Sequence, residues 1–216
     1  MLSLITSGLV VVLTFFLGLP VAYFLATKNF PGKSLLDALI EIPIVMPPLV
    51  TGLALLTLFN NNGMVGGILQ KFDIRVIFTR QGIIIAQFVV ASPFFIKTMR
   101  ESIAAIPKNL FDASTSLCAS KFYTLRRMIL PMCKNGMIAG LLLTWARALG
   151  EFGATSMVAG CVPQRTETMT LAIYMEAMGG ELLSAKSVAL ILTGLSFLAI
   201  VLIKKIFTKS ETGRKE

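Results

Sequence analysis

Apolar residues run along this chain in five long, nearly unbroken stretches, about residues 2–26, 35–59, 82–98, 136–160 and 187–207. Each is long enough to cross a hydrocarbon layer of about 30 Å, or nearly so, as an α-helix rising 1.5 Å per residue. The runs are continuous and do not alternate with a period of two, which argues against the strand pattern of a membrane β-barrel. The pattern predicts an all-α polytopic membrane protein, a single transmembrane domain over residues 1–216 with about five spans. No Lys or Arg precedes the first stretch, so it lacks the charged start of a signal peptide and is expected to remain as a helix of the mature protein.

The largest polar interruption, about residues 97–136, carries a helical pattern of its own. Pro107 opens a first short helix with Asn109 as a cap ahead of Asp112. Leu110, Phe111, Ser114 and Leu117 fall on adjoining faces of it at three- and four-residue steps. A second amphipathic stretch, 122–130, sets Phe122, Leu125 and Ile129 on one face with Lys121, Arg126 and Arg127 around it, until Pro131 stops or redirects it. Such a helix pair has three uses: lying on lipid headgroups, packing on its own bundle, or docking in a groove of another protein.

Composition agrees with the class: 55% of residues are hydrophobic, 14% are charged and the mean hydropathy is +0.80, far from a soluble domain. The net charge of +9 is explained by topology. With the polar interruption inside the cell, fourteen Lys and Arg lie on that side, in the first connection, the interruption and the tail. Only Lys71, Arg75, Arg80, Arg165 and Lys186 lie on the other. The positive-inside rule then gives an outside N-terminus and a cytoplasmic C-terminus in the plasma (inner) membrane. No aromatic-basic nucleic-acid module accompanies the charge, so no nucleic-acid partner is expected. The chain has no His, and Cys118, Cys133 and Cys161 lack metal-ligand spacing, so no metal site is expected either.

Arg147 stands out because it lies about 16 Å into its stretch at 1.5 Å per residue, where an Arg costs roughly 2.5–3.5 kcal/mol on insertion scales. Glu151 follows one turn later on the same face and is a natural partner. Two roles stay open for the pair: lining a path or its gate, or tying helices together. A permanent Arg site would hold an anion too tightly for release, which favours gate architecture over capture. Gly150 and Gly153 allow close helix approach. Pro43 and Pro47, four apart, share a face and with Pro48 bend the second stretch, either for packing or to open backbone carbonyls to a water-filled path.

At this level the residues resemble a family. Asp112-Ala113-Ser114, then Cys118, Met128 and Leu130-Pro131 keep the spacing of the EAA loop of ABC-type importer permeases, with Leu117 and Ala119 flanking the turn. Cys118 stands where that pattern has Gly, a residue free to take a positive φ that strains Cys. The run Trp145-Ala-Arg147-Ala-Leu-Gly150-Glu151-Phe152-Gly153-Ala154-Thr155 is similar to a segment of permeases for molybdate, tungstate and sulfate. So are Phe30-Pro31-Gly32-Lys33 and Pro43-Ile-Val-Met-Pro47-Pro48. Five spans and a short chain look more like the molybdate type.

The resemblance implies a fold like that of type I ABC importers, with a coupling loop at about residues 100–131. It implies a homodimer of this chain, two cytoplasmic ABC ATPase subunits and an external solute-binding protein, working by alternating access. No GxxxxGK[ST] motif is present, so ATP and Mg2+ belong to the ATPase partner; the chain is expected to hold no cofactor and no catalytic residue. The alternatives are a sulfate or thiosulfate permease, or a secondary transporter or channel, which has no need of the coupling loop.

Overall fold

A chain this apolar buries part of its surface against itself and leaves the rest for lipid, and its helices divide in that way. The computed structural model describes the backbone of residues 1–212 and the side chains of residues 1–205; every regular element among them is helical. The tail charges Lys209, Arg214 and Lys215 lie outside the described side chains.

The central post is α5 (Arg80–Ala104), with 61% of its apolar span buried. It starts where the Thr79 hydroxyl accepts from the Gly82 N–H, and Pro107 closes the turn beyond its end. Against it pack α1 (Leu2–Thr27) and α9 (Lys134–Leu149). A Cβ on Gly136 of α9 would come within 3 Å of the Ser102 side chain, so only glycine lets these two helices approach there. About two turns further along α9, Thr144 donates to the Ala91 carbonyl at 3.3 Å, which sets the antiparallel register. Leu19, Ala22 and Leu25 of α1 meet Phe95, Met99 and Ile103 of α5 in the largest core cluster. By contrast α12 (Leu182–Thr212) leaves 94% of its apolar span unburied, as a lipid-facing helix does, since only 6% of it is covered.

Among the described residues three helices are long and apolar enough to span a membrane, or five if two bent pairs each count as one. The second expected span is one of these pairs: α2 (Lys33–Val45) and α3 (Pro48–Phe59) meet at 115°. Pro43 sits inside α2 without breaking it. The break falls at Met46–Pro47, where Pro48 takes the first helical position and its missing N–H is harmless. The fourth expected span, 136–160, is not continuous: α9 stops at Leu149 and a separate short helix, α10 (Gly153–Ala159), follows. The second bent pair instead joins α9 to the rod that precedes it, at 78°. Between these lie α4 (Gly66–Gln70) and α11 (Met169–Met178).

The two interrupted regions pack on each other. A Cβ on Gly52 of α3 would sit 2.7 Å from the Ala154 Cα, and one on Gly153 would sit 2.9 Å from the Leu49 nitrogen. Because the obstacle is backbone, α3 and α10 cannot give way. Gly52→Leu is therefore expected to destabilise the folded protein by about 1–3 kcal/mol. Gly8→Ala, where nothing lies within 4 Å, is expected to be near neutral. The midpoint of thermal unfolding in detergent checks both.

Candidate coupling loop and helix-break site

The candidate coupling loop consists of α6 (Lys108–Ser116), a tight turn, and a rod made of α7 (Lys121–Thr124), one π turn (Leu125–Ile129) and α8 (Leu130–Met132). Pro107, not Asn109, caps α6. The turn closes with the Ala119 N–H donating to the Ser114 carbonyl at 3.1 Å and the Cys118 N–H donating to the Thr115 carbonyl at 2.9 Å. That closure needs a left-handed residue at its corner, and Cys118 takes it at φ 52°. The sharp turn of the family pattern is thus kept despite the substitution, with the strain that an L side chain meets there.

Ser120 accepts from the Tyr123 N–H to start α7, and the Ser114 and Thr124 hydroxyls share a hydrogen bond at 2.5 Å that braces the two arms. Thr124 was not singled out in the sequence; a buried hydroxyl opposite Ser114 carried no periodic signal. Leu110, Phe111, Leu125 and Met128 pack on the bundle core beside buried Ile106 and Ile129. Phe122 does not join them: the π turn adds a residue and rotates it to the surface, 70% exposed, together with Leu117 at 81%. Asp112, Ala113 and Cys118 are exposed on the same projection, while Ala119 and Leu130 are half-buried and Pro131 lies in the first turn of α8. Asp112 and Lys108 also border a hollow of about 440 Å³ beneath Thr27 and Asn29.

Lys97 and Arg100, expected in the loop, belong instead to the last turns of α5, because Ile96, Met99 and Ile103 keep burying its face to the end.

The second constellation lies at the α9–α10 break. Arg147 is in the last turn of α9, where the helix dipole favours a cation, and Glu151 lies just before α10, where it favours an anion. The two meet at 2.6 Å although the helix has ended between them. Glu151 is 1% exposed, and its other oxygen accepts from the Ala154 N–H at 2.8 Å, satisfying an open donor of α10. Thr170 of α11 donates to the Glu151 carbonyl at 2.8 Å. At the far end of α10, the buried Thr166 hydroxyl donates to the Gly160 carbonyl and accepts from the Val162 N–H.

The structure brings Pro48, Gly153, Arg147 and Glu151 into this one assembly. Gly150 is exposed with only the Ala146 carbonyl within 4 Å, and Pro47 is exposed at the α2–α3 break.

A third group was missed: Asp37 and Glu41 on α2 face Lys97 and Arg100 on α5. Arg100 lies 2.5 Å from Asp37 and 3.8 Å from Glu41, and Lys97 lies 3.4 Å from Glu41. Two acids four residues apart in an apolar run were the available signal. Their side chains are 24–46% exposed, so each pair is of the surface kind, worth about 0.2–1 kcal/mol. Among the described residues no three His, Cys, Asp or Glu side chains come together as a metal site. The Cys161 thiol is pushed up in pKa by burial and then by the Glu167 charge.

Residues 18–210 match the family described as binding-protein-dependent transport system inner membrane component. The chain is 40% identical over 204 residues to the probable transport system permease protein NifC of Clostridium pasteurianum, covering 94% of this chain and 71% of that one. It is 35% identical to the sulfate transport system permease protein CysW of Synechococcus elongatus, covering 99% and 74%. It is 34% identical to a probable molybdenum ABC transporter permease protein of Haloferax volcanii, covering 95% and 74%. A bacterial alginate ABC transporter, solved in complex with an alginate pentasaccharide-bound periplasmic protein, shares the fold with a TM-score of 0.72 at 16% identity, over 95% of this chain and 74% of that one.

Two stability outcomes follow from the site. Glu151→Ala uncaps α10 and leaves Arg147, 27% exposed, without its partner, at an expected cost of about 1–3 kcal/mol. Arg147→Met combined with Glu151→Gln, which removes both charges and keeps an acceptor for Ala154, is expected to recover most of it. Cys118→Gly relieves the left-handed strain and is expected to stabilise the protein by about 1 kcal/mol. Thermal unfolding of the detergent-purified variants reads all three.

Proposed function

Because this chain belongs to the family of binding-protein-dependent transport system inner membrane components, we propose that it is the membrane-spanning subunit of an ATP-driven importer for an oxyanion, molybdate or tungstate. The observation that carries the cargo is its 34–35% identity, over 95% or more of its length, to permeases named for molybdenum and for sulfate. The sulfate permease among them makes sulfate the second reading.

In this reading the chain is a membrane-embedded transport subunit that works as a homodimer, with the N-terminus outside and the α6–α7 loop and C-terminus in the cytoplasm. Two ABC ATPase subunits dock on the projection formed by Asp112, Ala113, Leu117 and Phe122, which is exposed and partly apolar. ATP closes the ATPase pair, and the projection moves with it. The motion enters the bundle because Leu110, Phe111 and Leu125 are packed on the core that includes α5. The bundle then opens outward to a solute-binding protein that meets the opposite end, near the cleft of about 540 Å³ bordered by Asn60, Asn61, Asp73 and Arg75. ATP and Mg2+ act on the partner subunits. Arg147 and Glu151 are part of the gate in this reading, where they keep the broken helix rigid; they do not hold the anion, since Glu151 places a carboxylate where an oxyanion would sit.

Reconstituted uptake tests the reading. Labelled molybdate is expected to enter vesicles with ATP, to be displaced by tungstate and only weakly by sulfate; the reverse order selects the sulfate reading. Asp112→Arg is expected to reduce co-purification of the ATPase and to lower uptake at least tenfold. Retained ATPase and unchanged uptake would overturn the docking assignment.

A further inference from the structure

We propose that Asp37, Glu41, Lys97 and Arg100 are positioning residues for transport: they clamp α2 on α5 in this conformation and release it in each cycle. This rests on the chain being the permease of an ATP-driven importer.

The acids are spaced by four residues on α2 and the bases by three on α5, so each pair occupies one helical face and the faces meet. Nothing else fastens α2 as firmly. It has no buried residue along its length. Its outer face, Leu35, Leu39, Ile42 and Val45, is exposed. Below the charges only Ile40 contributes from α2 to the packing beside Leu25 and Ile96.

Both ends of α2 are built to turn. At one end Gly32 holds φ 89° after Pro31, a conformation that glycine takes without strain. At the other, the chain breaks by 115° at Met46–Pro47, where no helical hydrogen bonds cross. A segment hinged at both ends and held by one patch can swing without unfolding.

The chemistry of the patch suits release. Its four side chains are 24–46% exposed, and the charges cancel two against two. When α2 leaves, water reaches acids and bases alike, so no ion is left buried without a partner. The Arg147–Glu151 pair cannot behave in this way, since Glu151 is 1% exposed and separation would strand its charge. Of the two helices, α5 is fixed by α1, α9 and α10, so α2 is the one that moves.

The test uses Asp37→Cys with Arg100→Cys in the permease–ATPase complex in vesicles and a short, reducible bifunctional thiol reagent. The single variants, which keep the native cysteines, report bridging to Cys118, Cys133 or Cys161. The expected result is rapid bridging without nucleotide and at least fivefold slower bridging after trapping with ATP and vanadate. The bridged protein is expected to lose uptake of labelled molybdate or sulfate, and a thiol reductant to restore it. Equal bridging rates in the two states, or full uptake by the bridged protein, would overturn the proposal. A second arm uses charge exchange: Asp37→Arg is expected to slow uptake with KM unchanged, and Asp37→Arg with Arg100→Asp to restore it. Exchange without recovery at equal yield counts against the clamp. If the unbridged wild type takes up neither anion, the cargo assignment fails while the bridging rates, which need only ATP and vanadate, still decide the clamp.

Discussion

A helix that stops inside an apolar layer leaves backbone N–H and C=O groups that no water can satisfy, and much of this molecule is arranged around that constraint. At the α9–α10 break the remedy is local. Arg147 compensates the negative end of α9, Glu151 compensates the positive end of α10, and the two ions neutralise each other at 2.6 Å. One carboxylate oxygen accepts from the buried Ala154 N–H, which has no partner within its helix, while the residue's own carbonyl receives the Thr170 hydroxyl. The pair that looked like an isolated charge in a span is a cap for two helix ends at once. At the α2–α3 break the remedy is different: Pro48 has no N–H to satisfy, and the Pro47 carbonyl accepts from Val50 and Thr51.

Satisfying the backbone is not sufficient, because two short helices have little surface with which to hold a position. The breaks solve this by stacking. Gly52 and Gly153 remove the side chains that would separate α3 from α10, so the two irregular segments rest backbone to backbone. Beneath them Leu55, Ala86, Val90, Ala154 and Val158 form a small core that ties the stack to α5. The rigid body is thus α1, α5 and α9 with the stack attached, whereas α2 and α12 lie on its outside with little or nothing buried.

The parts of this design that repeat along the chain were readable from it, and the parts made by a single contact were not. Apolar runs gave the helical class and the first, third and fifth spans, since length and hydropathy depend only on sums over many residues. The apolar stretch continues on both sides of Gly150 to Phe152, so its break was invisible; the capping of α10 by the Glu151 carboxylate is a pairwise event. Arg147 with Glu151 was legible as a pair because a four-residue spacing survives the break. Asp37 and Glu41 were passed over because their partners lie on another helix, about sixty residues away in the chain. Phe122 was placed on one face with Leu125 and Ile129 because a 3.6-residue period cannot foresee one π turn.

The two charged constellations show how one kind of interaction can serve opposite ends. Around Glu151 the carboxylate is shut away from water, so separation is costly and the pair behaves as a fixed joint. Between α2 and α5 the same chemistry is left a quarter to nearly half exposed, where separation is nearly neutral and the pairs behave as a reversible contact. Exposure, and not charge, separates a joint from a latch. The α6–α7 loop follows the same division: Phe111 and Leu125 pack on the bundle core and join the loop to it, while Leu117 and Phe122 stay out. In the proposed coupling, a push on the outer face travels through the buried one, and the loosely held helix beside α5 is α2.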